Sequence, residues 1–119
     1  TRDIDFNTSK DFEIETSIQK IKGTKSYAFG LLFGNKDIDN TFHFMIGIDG
    51  QYRVSEKNKG AYNQIQAWTK AESINTNYND YNKLKVKKTG NTLYFYINEA
   101  LVTSTDFRPF FGNKIGVMV

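Results

Sequence analysis

Two packed antiparallel β-sheets, with no long helix, are the fold class that this 119-residue sequence predicts. Three observations carry that expectation. Apolar and polar residues alternate with period two in nearly every segment, aromatic residues make up 15% of the chain, and turn-forming pairs interrupt it at short intervals. A period of two places successive side chains on opposite faces of a strand. Aromatic and β-branched side chains suit a pleated, half-buried surface, and many short strands divided by turns indicate a sandwich or barrel.

The first strand is expected over 11–21, with Phe12, Ile14 and Ile18 on one face and Glu13, Glu15, Ser17 and Gln19 on the other. Over 27–33, Tyr27, Phe29, Leu31 and Phe33 oppose Ala28, Gly30 and Leu32, so both faces are apolar or small and the strand belongs inside a sheet. Over 41–48, Phe42, Phe44, Ile46 and Ile48 oppose His43, Met45 and Gly47. Asp49-Gly50 is a strong hairpin signal leading into 51–56. There Tyr52 and Val54 share one parity and Arg53 takes the other, which places Arg53 on the face of His43 and Met45.

A further strand is expected over 62–68, and 71–81, rich in Asn and Tyr, reads as a loop with at most one helical turn. Leu84 and Val86 alternate with lysines over 83–88, and Gly90-Asn91 turns the chain into 92–98, where Leu93, Phe95 and Ile97 oppose Tyr94 and Tyr96. Asn98-Glu99 makes a tight turn into 101–105, 107–113 is a loop, and 114–119 is the last strand. These nine strands form one domain over 1–119, with no repeat, linker or low-complexity tract. Its core is expected to hold Phe12, Ile14, Phe29, Leu31, Phe44, Ile46, Leu84, Val86, Phe95 and Ile97.

Composition narrows the function. Sixteen basic against thirteen acidic residues leave a net charge of +3, spread along the chain, which suits solubility better than nucleic-acid binding. Lys83, Lys85, Lys87 and Lys88 alternate with apolar residues, as on a strand with one wet face, and no stacking aromatics interleave with them. Cysteine is absent, so neither a disulfide nor a thiolate metal site can form. No apolar run approaches the roughly 20 residues of a membrane span. The opening at Thr1, without an initiator Met or a signal-peptide pattern, fits a piece of a longer protein. Many Lys, Asn and Ile beside few Ala suggest a bacterial source.

From Trp68 onward a recurring order becomes legible: Trp68-Thr69, Ile74, Asn82-Lys83-Leu84, Gly90-Asn91, Tyr94-Phe95-Tyr96-Ile97-Asn98, Leu101-Val102, Phe110-Phe111-Gly112 and Ile115-Gly116. It resembles the second half of concanavalin A-like lectin/glucanase domains, in particular the laminin G-like and bacterial 3-keto-disaccharide hydrolase-like branches. Asp11-Phe12-Glu13-Ile14-Glu15 and Gly30-Leu31-Leu32-Phe33-Gly34 fit the first half. The resemblance implies a jelly-roll sandwich, a secreted, periplasmic or cell-surface location, and carbohydrate as a partner. Where the pattern has Asn-Gly, this chain has Asn98-Glu99, so Glu99 must accept a positive φ or the turn must change type. Measured against the pattern the chain is short at both ends, which would leave unpaired sheet edges open to self-association.

Glu13 and Glu15 stand i and i+2 on one strand face, about 7 Å apart, within the range of paired carboxylates in glycoside hydrolysis. The three-carboxylate strand motif of glucanases on this fold would need an acid where Ser17 or Ile18 stands, so no complete catalytic set is expected. Asp37, Asp39 and Asn40 offer oxygens suited to calcium, and the same residue types serve an ordinary turn. His43, the one histidine, has no Ser, Cys or second His at a catalytic or metal-binding spacing, and a half-exposed surface position is its plainest reading.

The leading expectation is therefore a non-catalytic carbohydrate-binding module of a larger bacterial protein. Its candidate ligand residues are His43, Arg53 and Trp68, with Tyr78 and Tyr81 rimming the site from the Asn-rich loop. A hydrolase-like domain and a purely structural or protein-interacting sandwich are the alternatives, since one fold hosts all three.

Overall fold

The computed structural model describes residues 2–3, 8–19, 28–47, 49–77 and 80–118, with only the backbone described at 2–3. Ten strands are formed: β1 (Arg2–Asp3), β2 (Phe12–Gln19), β3 (Ala28–Asp37), β4 (Asn40–Gly47), β5 (Gln51–Asn58), β6 (Ala61–Lys70), β7 (Tyr81–Thr89), β8 (Thr92–Ile97), β9 (Ala100–Asp106) and β10 (Lys114–Met118). They build a six-stranded sheet in the order β1-β10-β3-β4-β5-β6 and a four-stranded sheet in the order β2-β7-β8-β9. Every pairing is antiparallel.

The alternation read from the sequence becomes the two faces of each sheet. From the larger sheet Phe29, Leu31, Phe33, Phe42, Phe44, Ile46, Tyr52 and Val54 point into the sandwich. Ile14, Ile18, Leu84, Val86, Leu93, Phe95 and Ile97 meet them from the smaller one, and all fifteen are buried. Phe33 and Phe42 stack with centroids 5.2 Å apart, while Phe44 meets Phe95 edge-on at 5.1 Å across the sheets. Such geometries let ring edges and faces attract beyond the area they bury. Phe110, in the loop after β9, packs edge-on against Phe12 and Phe33 and closes one end of the core.

The turn at Asn98-Glu99 keeps its tight two-residue form, with φ of 52° and 72°. Glu99 thus accepts the left-handed conformation that the usual glycine would take without cost. Asn98 tolerates it better than most residues, and its side chain anchors the neighbourhood. Its Nδ2 donates to the Ser73 carbonyl at 2.7 Å and to Asn82 Oδ1 at 2.9 Å, while its Oδ1 accepts the Lys83 N–H at 2.9 Å. The fully buried Asn82 exchanges bonds with the Asn75 backbone at 2.8 and 3.0 Å, so the loop after β6 is pinned to the smaller sheet.

All nine expected strands are present, and of the ten core candidates only Phe12 is less than fully buried. Tyr27 and Ile48, expected in strands, lie outside the described residues. Three details differ from the expectation. The short β1 pairs with β10 although two residues carry no readable period. β7 begins at Tyr81 rather than Lys83, and the described part of the preceding loop contains no helical turn. Lys88, grouped with the wet-face lysines, has the inward parity of Leu84 and Val86 and is buried, its Nζ 4.9 Å from the Phe107 ring centroid and 3.5 Å from the Lys10 carbonyl oxygen.

Candidate functional site

The face of the six-stranded sheet turned away from the core gathers aromatic, basic and unpaired polar side chains. Register sets its grid. His43 on β4 pairs with Leu32 on β3 and Ser55 on β5, and Ser55 pairs with Gln64 on β6. One row over, Met45 pairs with Gly30 and Arg53. Glycine is required at position 30, because a Cβ there would collide with the Phe44 carbonyl and the Met45 backbone, and Met45 occupies the space above it. The floor is therefore low and apolar at Met45 and Gly30, and polar along His43 and Ser55.

The edge strand β6 departs from regular pairing twice opposite β5, between Tyr52 and Val54 and between Val54 and Ser55. Extra residues of this kind twist a strand and re-aim its side chains. Here Trp68 comes to lie with its ring centroid 5.0 Å from the Arg53 guanidinium carbon. Further along, the Tyr62 ring sits 5.1 Å from Lys57 Nζ and 5.9 Å from the His43 ring. Cation–π contacts such as these contribute about 0.5–2 kcal/mol and hold long basic side chains in defined positions. Two aromatic plates, each braced by a cation, thus flank the polar floor.

Three buried side-chain atoms on this face have no protein hydrogen-bond partner: His43 Nδ1, Ser55 Oγ and Arg53 Nε. Folded proteins pair nearly all such atoms, often with ordered water; two more of the kind, Asn35 Oδ1 and Ser73 Oγ, lie elsewhere. His43 is only 5% exposed, not the half-exposed residue expected. Burial, then the charges of Arg53 and Lys57, holds its pKa below the ordinary histidine value, so the imidazole is neutral at pH 7.

Of the candidates from the sequence, His43, Arg53 and Trp68 are brought together on this face. Tyr81 is not: it opens β7 opposite Gln19 in the smaller sheet, on a strand rather than in the loop. Tyr78 lies outside the described residues. Ser55 and Lys57 were missed although they continue the Arg53 parity, and so was Tyr62, which β6 pairs directly with Lys57.

The other candidates are engaged elsewhere. Asp37 Oδ1 accepts bonds from Asn40 Nδ2 at 2.9 Å and the Asp39 N–H at 3.0 Å, and the Asn40 bond leads in holding its carboxyl below the usual carboxylate range. Asp39 lies 3.7 Å from Lys57 Nζ. These carboxylates close a turn rather than converge on a cation, and no group of three potential metal ligands is found among the described residues. Glu13 and Glu15 stand cross-strand from Lys87 and Lys85 on the smaller sheet, with Glu13 3.8 Å from Lys87 Nζ. A separate cleft of about 330 Å³ opens between the ends of β6 and β9, lined by Tyr52, Lys70, Ser73 and Leu101 among others. Tyr52 bridges it by donating its hydroxyl to the Val102 carbonyl at 2.8 Å.

No protein-family model matches the chain, and no curated protein matches its sequence. Solved structures do. The carbohydrate-binding module CBM66 from Bacillus subtilis superposes with a TM-score of 0.74 at 23% identity, over 92% of this chain and 66% of that one. Sheep galectin-11, in complex with glycerol, gives a TM-score of 0.64 at 10% identity over 96% of this chain and 90% of its own. Caenorhabditis elegans galectin LEC-6 gives 0.63 at 13% identity over 94% and 82%. The shared architecture is thus a sandwich of two antiparallel sheets, and the chain spans about two thirds of the bacterial module.

Proposed function

We propose that this chain is a non-catalytic carbohydrate-binding domain of a larger bacterial protein, with the sugar held on the outer face of the six-stranded sheet. The observation that carries this reading is the juxtaposition of Trp68 and Tyr62 with a floor holding unpaired polar atoms of His43, Ser55 and Arg53. A sugar ring needs both features: a flat apolar plate for its C–H face and fixed polar groups for its hydroxyls. The name of the bacterial neighbour, a carbohydrate-binding module, supports the same reading at the level of the fold.

Binding follows from groups already in place. The sheet fixes His43, Ser55 and Arg53 in register, so little conformational entropy remains to be lost at the floor. Trp68 supplies the stacking surface while positioning Arg53 beneath it. The face is open rather than enclosed, so it covers one side of a saccharide and the affinity is modest. A glycan array followed by calorimetric titration of the strongest hits tests the proposal. Saturable binding that Trp68→Ala weakens supports it, and no binding to any glycan by the folded domain overturns it.

A second reading rests on β9. No described strand pairs with its outer edge, Leu101 on it is 56% exposed, and the segment contains no lysine or proline to deter pairing. Association of copies through this edge is compatible with glycan binding on the other sheet, and sedimentation at increasing concentration reads it out.

A further inference from the structure

We infer that the sugar held on this face is an acidic one, bearing a carboxylate or sulfate that Arg53 and Lys57 receive. The inference rests on the carbohydrate-binding reading and adds the chemical class of the ligand. Two cations occupy the outer face of β5, Arg53 and Lys57. Among the described residues, no carboxylate stands on that face of β4, β5 or β6. Acids occur at its rims: Asp39 beside Lys57, Asp49, whose Oδ1 accepts the Gln51 N–H at 3.3 Å, and Glu72 beyond β6.

A neutral sugar presents hydroxyls that donate as well as accept, so its site balances donors against acceptors, and an ionised carboxylate is the strongest acceptor a protein offers. This face is weighted the other way. Arg53 makes no ion pair or hydrogen bond with any described residue, whereas Arg108, at the core side of the same strand, pairs with Glu56 at 3.2 Å. On the opposite sheet Lys83 and Lys85 both pair with Glu99, and Lys87 lies 3.8 Å from Glu13. Among the described residues, Lys83, Lys85, Lys87 and Arg108 thus have acidic partners where Arg53 has none.

The guanidinium of Arg53 is also held in place before any ligand arrives, its Cζ 5.0 Å from the Trp68 ring centroid. A braced, unpaired guanidinium fork matches two oxygens of a carboxylate or sulfate. A sugar ring stacked on Trp68 brings a substituent on its rim within reach of that fork, and Lys57 lies four residues on along the same strand face, roughly 13 Å away at the backbone. An anion there also offsets the cost of gathering Arg53 and Lys57 around His43, whose protonation those two charges oppose.

The test uses the intact chain at physiological salt and two probe series. One is polygalacturonate against its carboxyl-reduced form. The other is chondroitin sulfate against desulfated chondroitin and desulfated, carboxyl-reduced chondroitin. At least one acidic probe should bind tenfold or more tightly than its neutral counterpart, and the series in which this occurs shows whether carboxylate or sulfate is the group received. Arg53→Gln and Lys57→Gln should each weaken that binding tenfold or more, while Lys87→Gln, the same charge change on the opposite sheet, should alter it less than twofold. Circular dichroism melts verify that each variant is folded. Equal losses for Arg53→Gln and Lys87→Gln would mean general attraction to a basic protein and would overturn the inference. Tight binding of a neutral glycan with no preference for acidic probes would overturn it while leaving the carbohydrate reading intact, and failure of every glycan, acidic or neutral, would end both.

Discussion

Replacing Trp68 with alanine separates binding from stability, because the ring lies on the open face of an edge strand and not in the core cluster. Two contributions to binding are lost. The ring positions Arg53 from 5.0 Å, a contact worth about 0.5–2 kcal/mol. It also offers a saccharide one face, on the order of 50 Å² of apolar surface, which at about 25 cal/mol per Å² amounts to roughly 1.3 kcal/mol. Together these predict a loss of about 2–3 kcal/mol, or roughly 30- to 150-fold in Kd. Trp68→Phe keeps a plate of smaller area and a weaker cation–π partner, so it should recover part of the loss. Titration calorimetry of the wild type and both variants against one glycan measures the effect, with thermal melts run in parallel. Wild-type affinity in Trp68→Ala, within twofold, would refute the argument that the bulged β6 aims this ring at a ligand.

Other consequences concern stability. His43 has a depressed pKa in the fold, so between its folded and unfolded values the unfolded chain binds the proton more readily. Its contribution is fully present above about pH 6.5, the ordinary histidine value, and is lost as pH falls through the folded pKa. Denaturant melts between pH 5 and 7.5 should show a steeper decline for the wild type than for His43→Gln, and parallel curves would contradict the buried, cation-flanked placement. Asn82→Ala removes the bonds that Asn82 makes with the exposed Asn75 and the half-buried Asn98. With about 1–3 kcal/mol per group left without its partner, discounted because Asn75 is open to water, the expected loss is about 2–4 kcal/mol by chemical denaturation. A change under 1 kcal/mol would show that the Asn82–Asn98 network does not pin the loop.

The parts of this account legible in the sequence are those governed by period two. Strand positions, the inward parity of Phe44, Ile46, Phe95 and Ile97, and the shared outer face of His43, Met45 and Arg53 all follow from alternation alone. The same parity, carried two and four residues past Arg53, would have reached Ser55 and Lys57. Less legible was anything that breaks the period. The irregularities of β6 bring Trp68 over Arg53, and no alternation rule places a ring after a bulge. The burial of His43 was hidden for a related reason: Tyr62, two strands away on β6, reaches to 5.9 Å from its ring, and contacts across a sheet cannot be read along one strand. Tyr81 was drawn toward the site by its position beside an Asn-rich loop, whereas pairing with Gln19 commits it to the other sheet. Its neighbour Asn82, which ties loop to sheet, carries a residue type common in turns and so gave no sign of complete burial.

The claim that a glycan occupies the outer face of the six-stranded sheet is tested most directly by amide and side-chain chemical-shift mapping during titration with a glycan identified on the array. Concentration-dependent shifts should gather at His43, Met45, Arg53, Ser55, Lys57 and the Trp68 indole, while Glu13, Lys85, Lys87 and Tyr94 on the far sheet stay still. Shifts confined to the far sheet, or to the cleft at Ser73 and Leu101, would contradict the account.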